Sequence, residues 1–176
     1  YRLITNLKNL NKFLKTTKFQ LPTLPQIAPY LQKEMWGATL DIKNAYLHWP
    51  ISERDKAFLR FNYQGKYFQH QSLPFGLSVT PREWQRAIQA VVTYLRVQGM
   101  LIWVYLDDFL IIGKDFESAQ KHIELFCAQM AKFGIQINIQ KSNLQLVKEC
   151  AYVEWLIKFI FIFLRKTSFI EIFLLF

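Results

Sequence analysis

Two adjacent carboxylates, Asp107 and Asp108, sit inside an apolar stretch, Leu101–Gly113 (LIWVYLDDFLIIG). An ionised carboxylate in apolar surroundings is costly unless a cation or a hydrogen-bond donor compensates it, and two side by side also repel each other. Hard oxygen ligands of this kind suit a divalent cation such as Mg²⁺. The alternative is a solvated Asp-Asp hairpin turn, since Asp is common in turns. A third carboxylate, Asp41, lies in Trp36–Tyr46 (WGATLDIKNAY), where Ala38, Leu40 and Ile42 alternate with Thr39, Asp41 and Lys43. If the two segments are neighbouring strands, three carboxylates converge at one sheet edge and can hold two Mg²⁺ ions about 3.5–4 Å apart. One ion would lower the pKa of an attacking 3′-hydroxyl. The other would neutralise charge developing on a leaving pyrophosphate.

The elements that must position these groups follow from periodicity. The β-branched and aromatic flanks of Asp107-Asp108 predict two short strands with Leu106-Asp107-Asp108 at or near the turn. Trp36–Tyr46 reads as a strand with Asp41 on the face opposite Leu40 and Ile42, and Asn44-Ala45-Tyr46 leaving it. Ala57–Asn62 and Lys66–His70 flank Tyr63-Gln64-Gly65 as a hairpin. Ser72–Thr80 (SLPFGLSVT) is a shaped loop feeding a helix with Pro81 in its first turn. That helix runs from about Pro81 to Gln98 and buries Trp84, Ala87, Ile88, Val91, Val92 and Leu95. A second spans about Phe116–Phe133, with Ala119, Ile123, Phe126, Cys127 and Met130 on one face. Ile135–Ile139 and Ala151–Trp155 read as strands. Leu3, Leu7, Leu10 and Leu14 suggest a short amphipathic helix within Tyr1–Lys18, and Ile27–Met35 another. This order argues for an α+β domain with helices on one face of an antiparallel sheet.

The chain has 176 residues, enough for a sizeable core, and is 52% hydrophobic and 20% charged, which excludes a disordered tail. A formal net charge of +9 suits a polyanionic partner. Cys127 and Cys150 are too few for a disulfide framework or a zinc site. The N-terminus is polar and basic with no signal-peptide core, so an intracellular setting, cytoplasm or nucleus, is expected; the missing initiator Met suggests a fragment. Leu156–Phe176 is rich in Phe, Ile and Leu, yet Lys158, Arg165, Lys166 and Glu171 argue against a membrane span. It reads as a core segment, or as AT-rich DNA translated out of frame. A frame-restoring shift near Trp155 in the genomic sequence would support the second reading; an uninterrupted homologous frame would sink it.

Four motifs carry a resemblance. LDIKNAY (Leu40–Tyr46), LPFG (Leu73–Gly76), YLDD (Tyr105–Asp108) and KFGIQINIQKS (Lys132–Ser142) occur in the order found in the reverse transcriptases of retroelements. The chain resembles that family across about Tyr1–Ile157. LDIKNAYLHWPI, LPFGLS and YLDDFLIIG are closest in flavour to the tyrosine-recombinase (DIRS-like) retrotransposons. The resemblance implies an RNA-directed DNA polymerase core, a nucleotidyltransferase that adds dNTPs to a DNA primer on an RNA or DNA template. Its cofactor would be two Mg²⁺ ions, with Mn²⁺ as a substitute. Asp41, Asp107 and Asp108 would be metal ligands, joined by the backbone carbonyl of Ile42, with Lys141 as proton donor to pyrophosphate. Lys8, Asn44, Ala45, Tyr46, Phe75 and Gly76 would bind dNTP, Tyr46 excluding a 2′-hydroxyl. Tyr105, Leu73, Pro74 and Trp155 would meet primer or template. Implied domains are partial fingers (1–23), palm (24–48), a fingers insertion (49–77), palm (78–150), a primer-grip-like turn (151–157) and an atypical hydrophobic tail (158–176), the palm being ferredoxin-like.

The chain departs from the family pattern at several points. Asn44 stands where many relatives have Asp, and Lys8 where an Arg is usual, keeping the charge without the bidentate fork. Glu154 replaces a turn Gly and meets a conformation it dislikes if φ is positive there. None of the chain's segments reads as the family's thumb, RNase H or recombinase domain. Lys8, Lys12, Lys15, Lys18, Arg82, Arg86 and Arg96 supply basic side chains for a nucleic-acid cleft, or simply a solvated face. One rival is a catalytically dead remnant with the palm fold and weak nucleic-acid binding. The other is a two-metal nuclease, opposed by His48, His70 and His122 lying outside the motifs.

Overall fold

A computed structural model describes residues 3–153, 155–159, 163–166 and 171–173. They form two compact units. The first holds Tyr1–Gln20 and Asn44–Ala87, and the second Leu21–Lys43 and Ile88–Phe176.

The second unit is built on an antiparallel sheet ordered β4-β5-β1-β6. Its strands are β1 (Trp36–Asp41), β4 (Leu101–Tyr105), β5 (Asp108–Gly113) and β6 (Asn143–Val147). Strand alternation gives this sheet two unlike faces. Phe109, opposite Leu40, meets Phe126 with ring centroids 4.8 Å apart. Phe126 belongs to helix α5 (Phe116–Lys132), so that face is the helical one. The Asp115 carboxylate caps α5 by accepting from the Ser118 amide at 2.7 Å. The opposite face carries Trp103, Leu110 and Ile112. It packs on β7 (Glu149–Tyr152) and β8 (Trp155–Lys158), burying Cys150, Tyr152, Ile157 and Phe159. Gly37 allows this approach, because a Cβ there would stand 2.8 Å from Cys150 Sγ and 2.9 Å from the Phe159 ring. Strands β9 (Phe163–Lys166) and β10 (Glu171–Phe173) extend the second sheet in the order β10-β9-β8-β7.

The first unit has its own small core of Leu7, Leu59, Leu73 and Leu77. It contains α1 (Lys8–Asn11), a short helix at Glu53–Lys56 (α3), and a hairpin of β2 (Arg60–Tyr63) and β3 (Lys66–Gln69). Helix α4 (Thr80–Val97) divides between the units; of the predicted stripe Trp84, Ile88, Val92 and Leu95 are buried, and Ala87 and Val91 half-buried. Between the two stretches of the first unit comes α2 (Leu24–Ile27), which belongs to the second.

Several expected elements differ. The helix within Tyr1–Lys18 is a single turn, α1. The one expected at Ile27–Met35 starts earlier, as α2 followed by a 3₁₀ turn at Ala28–Tyr30, because Pro25 fits only a first turn and Gln26 accepts from the Thr23 amide. Ile135–Ile139 is not a strand. Only Ile137 bridges to Ile42, and the chain turns at Asn138, whose carbonyl accepts from the Lys141 and Ser142 amides. The strand comes later, at β6. Ala151–Trp155 is not one strand but the turn of the β7–β8 hairpin, with Val153 at φ 56°. The expectation for Glu154 falls outside the described residues. No described helix is long and apolar enough to cross a membrane.

Candidate active site

The β4–β5 hairpin brings the carboxylates to the end of the sheet. Tyr105 and Asp108 are directly opposite, leaving a two-residue turn, Leu106-Asp107. Leu106 takes φ 56°, a left-handed conformation that favours glycine at the first central position of a hairpin turn. A branched side chain held there marks local strain. Asp108 is therefore already the first residue of β5, and only Asp107 is in the turn.

On the other side of β5, Asp41 pairs directly with Asp108. Side chains directly opposite lie about 4.5–5.5 Å apart at Cβ, a spacing at which like charges repel. The Asp107 carbonyl accepts from the Ile42 amide at 2.9 Å, tying the turn to the end of β1. Asp41 is buried, Asp108 half-buried and Asp107 exposed. Burial, and then the charges of Asp107 and Asp41, push the Asp108 carboxyl up to about 6, with Lys141 opposing.

This donor set fits a hard divalent cation. Three oxygen-only ligands crowd one sheet edge, and their mutual repulsion is what a cation would relieve. They are not a closed cage: among the described residues no three His, Cys, Asp or Glu side chains form a ready-made metal group. Mg²⁺ does not need one, since it commonly takes one or two carboxylates together with substrate phosphates and water.

Lys141 is held near this edge by contacts that sequence reasoning missed. Ser142 Oγ accepts from the Asp41 amide at 3.0 Å and donates to the Asn138 carbonyl at 2.8 Å. The Asn138 amide donates to the Asp41 carbonyl at 2.8 Å, and the Lys43 amide to the Gln136 carbonyl at 2.9 Å. The 136–142 turn is thus laced to the strand that carries Asp41. The signal for it was the polar pair following the false strand. Tyr105 ends β4, and Trp155 begins β8 opposite Tyr152; both border the apolar cluster beneath the carboxylates.

The remaining sequence-predicted residues lie in the first unit. Asn44 adopts φ 54°, which Asn tolerates well, and opens a 3₁₀ turn containing Ala45 and Tyr46. Tyr46 and Phe75 meet with ring centroids 5.2 Å apart. Leu73 is in the core, and the Pro74 carbonyl accepts from Thr80 Oγ1 at 3.0 Å. Gly76 sits at φ 91°, and a Cβ there would be 3.2 Å from the Thr5 carbonyl. Asn11, also unforeseen, clamps this loop: its Nδ2 donates to the Gly76 carbonyl and its Oδ1 accepts from the Ser78 amide, each at 2.8 Å. Lys8 is exposed at the start of α1. The structure therefore gathers Asp41, Ile42, Asp107, Asp108 and Lys141 in one unit, and Asn44–Tyr46 and Leu73–Gly76 in the other.

Residues 1–158 match the family model described as "Reverse transcriptase (RNA-dependent DNA polymerase)". The chain belongs to the reverse transcriptase family. It is 26% identical over 144 residues to the retrovirus-related Pol polyprotein from transposon opus, and 28% over 143 to that from transposon gypsy, both of Drosophila melanogaster. Each match covers 81% of this chain and 14% of the relative. The genome polyprotein of Petunia vein clearing virus is 27% identical over 81% of this chain, which spans 6% of it. The chain thus accounts for a small part of these relatives' length. Among solved structures, the foamy viral protease-reverse transcriptase dRH in complex with double-stranded DNA superposes with a TM-score of 0.77 at 20% identity, over 90% of this chain and 27% of that one. The foamy viral protease-reverse transcriptase in complex with an RNA/DNA hybrid gives 0.73 at 21% identity, over 88% and 20%. The fold of this reverse transcriptase chain is accordingly α+β, with an antiparallel sheet and helices as in the palm.

Proposed function

We propose that this reverse transcriptase chain is the polymerase core of a retroelement protein, extending a DNA primer on an RNA or DNA template. The observation that carries this is the direct pairing of Asp41 with Asp108, with Asp107 tied to Ile42 at the same edge. Two Mg²⁺ ions, or Mn²⁺, held by Asp41, Asp107, Asp108 and the Ile42 carbonyl, would supply the Lewis acidity that activates the 3′-hydroxyl and stabilises the leaving pyrophosphate. Lys141 offers a proton to the departing pyrophosphate oxygen. Tyr46 excludes a 2′-hydroxyl, Phe75 and Gly76 receive the nucleotide, and Asn44 and Ala45 act through their backbone. Lys8 attracts the triphosphate as a point charge. Leu73, Pro74, Tyr105 and Trp155 serve template and primer. In domain terms, 1–23 and 49–77 are fingers, 24–48 and 78–150 palm, 151–157 the primer-grip-like turn and 158–176 a tail. An intracellular site of action, cytoplasm or nucleus, goes with this reading.

The test is extension of a DNA primer on an RNA template with Mg²⁺ and dNTPs, comparing this chain with Asp107→Asn. Extension with pyrophosphate release by the parent and none by the variant is expected. No extension by a folded parent would overturn the activity and leave a remnant with the palm fold. The finer affiliation, with tyrosine-recombinase (DIRS-like) retrotransposons, is proposed on LDIKNAYLHWPI, LPFGLS and YLDDFLIIG. A recombinase gene on the same genomic element would support it, and an integrase gene would refute it.

A further inference from the structure

Asp41 is the last residue of β1, and it stands directly opposite Asp108. The Ile42 amide bonds the Asp107 carbonyl, so by alternation Asp41 and Asp108 form a pair without hydrogen bonds between them, whose Cα atoms are only about 4.5 Å apart. Like charges so close act to splay the end of the strand. The same alternation turns the amide and carbonyl of Asp41 away from β5, toward the β6 side. Strand β6 begins only at Asn143, opposite Thr39, and offers Asp41 no strand partner. A side chain takes that place. Ser142 Oγ accepts from the Asp41 amide at 3.0 Å and donates to the Asn138 carbonyl at 2.8 Å, and the Asn138 amide donates back to the Asp41 carbonyl at 2.8 Å. These three bonds close a ring around the end of β1. A hydroxyl both accepts and donates at one atom, so Ala at position 142 opens the ring at two points. Asp41 is buried, which limits the replacement of its lost bond by water.

We propose that Ser142 is a positioning residue for the carboxylate site, its hydroxyl holding the end of β1 so that Asp41 stays opposite Asp108 against their repulsion and shares a cation with Asp107 and Asp108. This rests on the reading of those carboxylates as a metal site. Ser142 acts through the Asp41 backbone and not on the cation itself.

The test sets Ser142→Ala and Ser142→Thr beside Ser118→Ala, each in the full chain. Ser118 is a matched control: its Oγ also accepts from an amide and donates to a carbonyl, both of Asp115, at 3.2 and 3.1 Å. It lies near the Gly113 end of β5, where Ala119 meets Gly113, and not at the Asp108 end. Binding of Mn²⁺ alone, followed by the electron paramagnetic resonance of the free ion, should weaken about tenfold in Ser142→Ala, the scale of one hydrogen bond. It should stay within about twofold of the parent in Ser142→Thr, which keeps the hydroxyl, and in Ser118→Ala. In EDTA, hydrogen exchange of the Asp41 amide should speed up about tenfold in Ser142→Ala alone of the three. The kcat of primer extension should fall in Ser142→Ala by a factor similar to the Mn²⁺ affinity, with KM for dNTP unchanged. Equal Mn²⁺ affinity in Ser142→Ala and parent would overturn the inference, as would an equal loss in Ser118→Ala or no rescue by Ser142→Thr. A folded parent that binds no Mn²⁺ would overturn the metal-site reading, and this inference with it. A parent that binds Mn²⁺ and extends no primer would overturn the polymerase activity alone, and the Mn²⁺ affinities would still decide this inference.

Discussion

Replacing Asp108 with Asn should make the metal-free chain more stable at neutral pH. Folding raises this carboxyl from 3.8 to about 6, through burial first and then the charges of Asp107 and Asp41. Between about pH 4 and pH 6 the folded chain therefore binds more protons than the unfolded one. Stability falls as pH rises through that window, and above it the loss is complete. Two pKa units correspond to about 3 kcal/mol at most. Asp108 is only half-buried, and solvent screening reduces this to about 1–2 kcal/mol. For a chain of this length that is a rise of about 2–6 °C in thermal midpoint. The assay is a pair of thermal melts in EDTA at pH 7.5 and pH 4, on the parent and Asp108→Asn. The variant should melt higher at pH 7.5, and the gap should largely close at pH 4, where the folded parent's carboxyl is protonated and the unfolded one is partly so. No gap at pH 7.5, or an equal gap at both pH values, would refute the claim that burial and the neighbouring carboxylates disfavour the Asp108 charge in the fold. Mg²⁺ should stabilise the parent at pH 7.5 and do so less for the variant, because it binds only the folded site.

Asp41→Asn should lower primer extension at least about a hundredfold, measured as single-turnover rate, because it removes a charge that acts on the reacting groups. Tyr46→Ala should reduce discrimination of dNTP over NTP by about ten- to a hundredfold, read from the ratio of kcat/KM values. Gly76→Ala should destabilise by more than about 1 kcal/mol in urea titrations, since φ 91° is strained for any side chain and the new Cβ crowds the Thr5 carbonyl. Asn11→Ala removes both clamps on the Gly76–Ser78 loop, with a stability loss of about 1 kcal/mol and a raised KM for dNTP.

The sequence by itself singled out the three carboxylates and most of the elements around them. Three Asp residues in apolar strands call for a cation wherever they meet; period-2 and period-3.6 patterns marked β1, α4 and α5, each with one apolar face, and β-branched and aromatic runs marked β4 and β5, which are buried on both faces. It failed where alternation imitated a strand. Gln136 and Asn138 alternate with three isoleucines, but the backbone there turns to lace Ser142 and Asn138 to Asp41, a contact between residues about a hundred positions apart. Nothing local announces Asn11 as the clamp on a loop far downstream, or Val153 as the left-handed residue of a hairpin turn. Tertiary structure alone decided that Asp41 faces Asp108 rather than Asp107. Register depends on which strands pair, and slipping it by one residue would turn that carboxylate to the helical face.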